Sequence, residues 1–236
     1  MNPIVINSPS IANCNVLQVG DDVQKLIDTG RVSWLHIDLM DGHYVPNLCF
    51  PLRVVSDVKG KYPDITTDLH IMVSDPISYV DRLADAGADY VSFHVDSTNF
   101  TIRTLDRIHA RGMKAGVVIN PSQPVSVIEP YADLLDMVTL MAVEPGFAGQ
   151  KFMSRTLDRI SVLASIRKRR ALEFLINVDG AINYPNLEPS IRRGANVIVT
   201  GIFTIFQQED GFEGACRRFD ETVDHAFSQG FIGDAY

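Results

Sequence analysis

Eight short apolar runs, separated by polar or amphipathic stretches, constrain this chain more than any other feature. They fall at residues 4–7, 34–38, 66–72, 90–94, 114–119, 137–141, 174–178 and 197–200. Near-continuous runs of this kind suit strands buried on both faces of a parallel sheet. Segments with helical periodicity lie between them at 19–28, 76–86, 101–111, 152–170 and 184–193. Gly87, Gly112 and Gly194 follow three of these segments, where glycine commonly ends a helix. About eight βα units predict an α/β fold with a helix-covered sheet. A closed (β/α)8 barrel fits the 236 residues, because such barrels run to about 250. An open doubly wound sheet is the alternative, but the chain has no early Gly-x-Gly-x-x-Gly turn. No linker or shift of composition divides the chain, so residues 1–236 are expected to form a single domain.

The balance of 21 basic against 29 acidic residues gives a net charge of -8. That argues against nucleic acid as a partner, since phosphate neutralisation needs clustered cations. The one basic run, Arg167-Lys168-Arg169-Arg170, is expected to be a solvated helix end complementing the helix dipole. Cys14, Cys49 and Cys216 are widely spaced, so neither a disulfide framework nor a thiolate zinc site is indicated. The opening Met-Asn-Pro-Ile-Val-Ile-Asn does not have the pattern of a signal peptide. No stretch approaches the ~20 apolar residues of a membrane span. A cytoplasmic enzyme is expected.

Barrel chemistry sits at the C-terminal ends of the strands, and several ends here carry reactive groups. In His36-Ile37-Asp38-Leu39-Met40-Asp41-Gly42 an imidazole and a carboxylate stand two residues apart. On a strand, i and i+2 point the same way, so the two converge. Asp68-Leu69-His70-Ile71-Met72-Val73 repeats the pattern of a His followed by a Met, and Asp179 ends the seventh run. His36, Asp38, His70 and Asp179 make a mixed N/O set suited to one divalent ion: Zn, Fe, Mn or Co. Two carboxylates there suit two-base proton transfer beside a carbonyl, with the metal holding the enediolate oxygens. Met40, Met72 and Met141 either line the site or fill gaps in the core. His94 either orients a ligand through a hydrogen bond or is structural.

Three glycine-bearing loops follow late strands: Glu144-Pro145-Gly146-Phe147-Ala148-Gly149-Gln150, Asp179-Gly180-Ala181 and Thr200-Gly201-Ile202-Phe203. Phosphate held by backbone N–H groups after the last two strands is a recurrent barrel device. Beside two carboxylates, the loops point to a phosphorylated small molecule.

Ordered motifs carry a resemblance along nearly the whole chain. They are Ser8-Pro9-Ser10-Ile11, His36 through Asn47, Asp68 through Val73, Asn120-Pro121, Pro145 through Gln150, Val178-Asp179-Gly180 and Gly194-Ala195-Asn196-Val197. In these the chain resembles the ribulose-phosphate 3-epimerase family. The resemblance implies a TIM barrel of the ribulose-phosphate-binding type and a divalent metal on His36, Asp38, His70 and Asp179. It implies Asp38 and Asp179 as the acid/base pair on opposite faces of C3. Ser10 would contact substrate, with Met40, His70, Met72 and Met141 around it. Gly146, Phe147, Ala148, Gly149, Gly180, Ala181, Gly201 and Ile202 would hold the phosphate. The substrate is expected to be D-ribulose 5-phosphate, converted to D-xylulose 5-phosphate through a metal-stabilised enediolate. A homo-oligomer, dimer or hexamer, is implied as well.

Departures from the family pattern touch the same pocket. Ala181 stands where a second glycine is usual, Ile202 where serine is usual, and Ala12-Asn13-Cys14-Asn15 where Leu-Ser-Ala-Asp is expected. Glu144 replaces a common Asn and is closer to the allulose-6-phosphate 3-epimerase branch, so D-allulose 6-phosphate to D-fructose 6-phosphate is the alternative reaction. Aldol cleavage or decarboxylation of a phosphosugar is a rival, but its usual strand-end lysine is missing. A non-catalytic phosphosugar-binding paralogue is the other rival, motivated by Ala181 and Ile202.

Overall fold

The computed structural model describes residues 5–230. Its strands are β1 (Ile6–Pro9), β2 (Trp34–Asp41), β3 (Leu48–Cys49), β4 (Thr66–Met72), β5 (Tyr90–His94), β6 (Lys114–Ile119), β7 (Met137–Met141), β8 (Leu175–Asp179) and β9 (Val197–Thr200). They form one sheet in the order β1-β9-β8-β7-β6-β5-β4-β2-β3. All pair in parallel except β3, which folds back on the end of β2. A parallel bridge from Ser10 to His36 joins the end of β1 to β2 and closes the sheet into a barrel. Around it run α1 (Val19–Asp28), α2 (Arg53–Lys61), α3 (Val80–Asp85), α4 (Thr101–Ala110), α5 (Thr156–Arg169), α6 (Tyr184–Arg192) and α7 (Gly211–Ser228). A kinked 3-10 segment, Val125–Leu134, stands between β6 and β7, with Pro130 inside it.

Alternation along the strands separates two interiors. Leu35, Ile37 and Leu39 of β2, with Leu69 and Ile71 of β4, face the helices and join the main core. There they meet Val23 and Leu26 of α1, and Ile160, Leu163 and Ile166 of α5. Each such side chain, fully buried, contributes roughly 1.5–3 kcal/mol. The other face of the strands looks into the barrel. Its N-terminal end is plugged by Trp34, Met137 and Val197, against which Ile6, Tyr90 and Leu175 pack. The next layer is polar: Asp68 Oδ2 lies 2.8 Å from His36 Nδ1 and accepts from Asn177 Nδ2 at 3.2 Å. With one end plugged by hydrocarbon, only the C-terminal mouth remains for chemistry.

Five expected strands, at 66–72, 90–94, 114–119, 137–141 and 197–200, have the observed bounds. The first begins at Ile6 rather than at Ile4, which lies outside the described residues. The seventh is displaced by one residue, so Asp179 belongs to the strand itself. The expected helix at 76–86 is a 3-10 turn, Pro76–Tyr79, followed by α3. The helix expected at 152–170 starts only at Thr156, and before it the Met153 N–H donates to the Ala142 carbonyl at 2.9 Å. Lys151 therefore precedes the helix, exposed. Gly87, Gly112 and Gly194 do end helices, with φ of 86, 78 and 109. Arg167 is not a solvated helix end: its guanidinium turns inward and donates to the Phe174 carbonyl at 3.1 Å.

Candidate active site

Three strands bring four side chains to one point. β2 supplies His36 and Asp38, β4 supplies His70 in register with Asp38, and β8 supplies Asp179. His70 Nδ1 lies 3.2 Å from both Asp38 Oδ1 and Asp179 Oδ2. His36 Nε2 lies 3.4 Å from Asp38 Oδ1 and 3.7 Å from Asp179 Oδ2. One ligand atom from each of the four residues falls within 4.8 Å of the others, so the group could hold a metal ion. His36 Nε2 and His70 Nδ1 are buried and make no hydrogen bond among the described residues. Two inward nitrogens without partners, beside two carboxylate oxygens, fit a divalent cation of the borderline kind.

The outward atoms of three of these ligands are engaged. His36 Nδ1 meets Asp68 Oδ2 at 2.8 Å, Asp38 Oδ2 accepts from the Ser10 hydroxyl at 2.8 Å, and His70 Nε2 is 2.8 Å from His94 Nε2. Such partners fix ring orientation and ligand basicity. Burial opposes charge on His36, but the Asp68 and Asp38 carboxylates override it and raise its pKa well above the usual value. His70 is raised in the same way, against burial, by Asp179 and Asp38. Burial likewise opposes ionisation of Asp38, yet the two imidazoles hold it below the usual carboxylate range. The field that draws protons to these rings would equally attract a dication.

Above the cluster opens a cavity of about 300 Å³. Met40, Met72 and Met141 line it with Ser10, so the methionines are wall residues rather than mere gap fillers. Gly146, Phe147, Ala148, Gly149, Gly180, Ala181, Gly201 and Ile202 line it as well. Of the residues expected in the site only His36 is not in the wall; it lies beneath, 1% exposed. Two of these glycines, Gly146 and Gly180, are required by close approach. A Cβ on Gly180 (φ +116) would lie 2.6 Å from Val143 Cγ2, and one on Gly146 (φ +102) 2.9 Å from Val45 Cβ. Ala181 holds φ 52 with a side chain, which costs roughly 1–2 kcal/mol. Its methyl packs against Val118, Met141 and Val143. Gln150 Nε2 donates to the Glu144 and Phe147 carbonyls at 2.6 and 2.9 Å, tying that loop together.

Several neighbours escaped sequence reasoning. Asn47 donates to the Gly146 carbonyl at 2.7 Å, and Cys49, Val143 and Thr200 line the cavity. Burial, then Asp38, pushes the Cys49 thiol up to about 11. Asp68 had a readable signal, because it precedes His70 by two residues on one strand and so shares its face.

A closed parallel barrel with a N/O cluster at its C-terminal mouth defines the chain as a TIM-barrel enzyme. Two solved barrels share the fold at low identity. The 3-hexulose-6-phosphate synthase of Salmonella typhimurium has a TM-score of 0.70 and 17% identity, covering 94% of this chain and 100% of that one. KGPDC from Streptococcus mutans has a TM-score of 0.70 and 13% identity, covering 95% and 99%. The profile of the ribulose-phosphate 3 epimerase family matches residues 6–206. The ribulose-phosphate 3-epimerase of Bacillus subtilis is 38% identical over 204 residues, 86% of this chain and 93% of the relative. That of Aquifex aeolicus is 38% identical over 194 residues, 82% and 86%. The chain belongs to the ribulose-phosphate 3-epimerase family and is an isomerase of the epimerase class. Among the described residues, no helix is long and apolar enough to cross a membrane.

Proposed function

We propose that this chain interconverts D-ribulose 5-phosphate and D-xylulose 5-phosphate by moving the C3 proton between Asp38 and Asp179. What carries the proposal is the pair of carboxylates at one cavity floor, from strands separated in the closed sheet by β1 and β9. A substrate carbon lying over His70 would meet Asp38 on one side and Asp179 on the other. One ionised carboxylate takes the C3 proton and becomes the acid. The other, protonated at the start, delivers its proton to the opposite face and ends ionised, so charge balances. Ser10 holds Asp38 Oδ2, leaving Oδ1 toward the cluster. The three methionines keep the space above the carboxylates apolar. The backbone of Gly146 through Gly149, of Gly180 and Ala181, and of Gly201 and Ile202 would take the phosphate.

His36, Asp38, His70 and Asp179 would hold one divalent cation: Zn, Fe, Mn or Co. When bound, it supplies positive charge against the oxygens of the enediolate. The pentose substrate is supported by the names of the relatives, ribulose-phosphate 3-epimerase. Glu144 in the cavity wall favours a second reading, D-allulose 6-phosphate to D-fructose 6-phosphate, with the same chemistry on a longer ketose. The proposal includes one barrel domain over residues 1–236 in a cytoplasmic homo-oligomer, dimer or hexamer. Light scattering of the purified protein tests the oligomer.

The deciding experiment is C3 proton exchange in D2O, followed by NMR on cation-loaded protein. Exchange on ribulose 5-phosphate, lost in Asp38→Asn and Asp179→Asn, is the expected result. Exchange only on allulose 6-phosphate would transfer the function to the second reading. Exchange on neither would overturn both.

A further inference from the structure

We propose that His94 is a positioning residue for His70, accepting its Nε2–H so that the His70 Nδ1 lone pair stays aimed at the cation cluster. The two Nε2 atoms are 2.8 Å apart, and the residues are 1% and 0% exposed. Only one proton fits between two nitrogens at that distance, so one ring donates and the other accepts. His70 Nδ1 faces Asp38 Oδ1 and Asp179 Oδ2, each at 3.2 Å. A ligand nitrogen there needs its lone pair, which leaves the His70 proton on Nε2. His94 is therefore the acceptor at Nε2 and carries its own proton on Nδ1.

A polar brace holds His94 in that tautomer. The Tyr44 ring packs on it with centroids 4.5 Å apart. Tyr44 Oη donates to Asp96 Oδ1 at 2.8 Å, and Asn120 Nδ2 donates to Tyr44 Oη at 2.8 Å and to Asp96 Oδ2 at 3.1 Å. With both amide hydrogens of Asn120 engaged, its Oδ1 is the atom left to receive His94 Nδ1–H. Both His94 Nδ1 and Asn120 Oδ1 are buried and without a hydrogen-bond partner among the described residues, a complementary donor and acceptor. The brace joins the loop after β2 to the ends of β5 and β6. Tyr44, Asp96 and Asn120 are not in the cavity wall. This role presupposes the cation site proposed above but not the choice of substrate.

Imidazole 15N NMR on wild-type protein, with and without Zn2+, is the first test. The expected spectrum has His70 protonated at Nε2 and His94 at Nδ1; a proton on His94 Nε2 overturns the proposal. Co2+ binding then gives the energetic readout. His94→Leu should lower Co2+ affinity, by chelator competition, roughly 10–100-fold and alter the visible absorption bands. His94→Gln, whose Oε1 still accepts, should restore most of both. Asn120→Ala, which leaves His94 in place, should weaken binding in the same direction, so the proposal remains testable if the leucine variant does not fold. Wild-type Co2+ affinity and spectrum in folded His94→Leu would overturn it. Failure of the wild type to bind either ion would instead overturn the cation site itself.

Discussion

Asn47 donates from Nδ2 to the Gly146 carbonyl at 2.7 Å, joining the loop after β2 to the loop after β7 across the cavity mouth. The two loops are already as close as backbone permits, since Gly146 has no room for a Cβ beside Val45. Asn47 also receives the Leu48 N–H on Oδ1 at 2.9 Å, which fixes its amide. The same loop that carries the phosphate in the proposed function is thus held from the opposite wall.

Asn47→Ala should loosen that wall without touching the carboxylates. Loss of one neutral hydrogen bond costs roughly 0.5–1.5 kcal/mol. The expected effect is a rise in KM of about 2- to 10-fold with kcat little changed, read by steady-state kinetics on the ketose phosphate. A kcat loss at unchanged KM would show that the bond serves the chemical step instead.

Asp68 lies in the barrel interior, 0% exposed, with His36 Nδ1 at 2.8 Å and Asn177 Nδ2 at 3.2 Å. Asp68→Asn keeps an acceptor oxygen but removes the charge that makes His36 a stronger ligand. Cation affinity should fall by roughly 10–100-fold. Competition with a chromogenic chelator measures this, and unchanged affinity would mean that His36 needs only a neutral partner.

Asp41 is a pH-dependent anchor. Its Oδ1 accepts the His43 and Tyr44 N–H groups at 2.8 and 2.9 Å, and its Oδ2 accepts the Ser74 N–H and Oγ–H at 2.8 Å each. Partial burial opposes ionisation, but these donors hold its pKa well below the usual carboxylate range. A pKa depressed on folding contributes stability above the unfolded value of about 3.9 and loses it as pH falls toward the folded one. Wild type should therefore exceed Asp41→Asn in urea midpoint at pH 7, and the gap should narrow progressively below about pH 4. A gap independent of pH would show that the carboxylate's charge is not what anchors the loop.

How much of this was readable beforehand depended on whether one strand or several set the feature. The ligands were legible because His36 and Asp38 share a face by spacing alone, and His70 and Asp179 stand at or near the ends of apolar runs. The partnership of His36 with Asp68 was not, since it depends on the register that sets those residues side by side on β2 and β4. The brace on His94 draws on three strand ends and was equally hidden. Among the helices, α2 went unread because Arg53–Lys61 holds three valines and Gly60, which weaken the helical signal. α7 opens with Gly211 and Gly214 in its first turn, which also reads as loop. The 3-10 segment Val125–Leu134 contains Pro130, which breaks helical periodicity.

Ile202 offers the sharpest test of the phosphate end. Its side chain lines the cavity while packing against the main core, where the family usually has a serine. Ile202→Ser would exchange half-buried hydrocarbon, about 1 kcal/mol of burial, for a hydroxyl able to donate to a dianion. A hydrogen bond to a charged group contributes roughly 1.5–3 kcal/mol, which is tenfold or more in affinity. The two effects fall on different observables. Melting temperature should drop slightly, while inorganic phosphate should become a competitive inhibitor about ten times tighter against ketose-phosphate turnover. An inhibition constant that does not move, in a variant that melts lower, would place the phosphate away from the Gly201–Ile202 turn and leave the 146–149 and 180–181 loops to hold it.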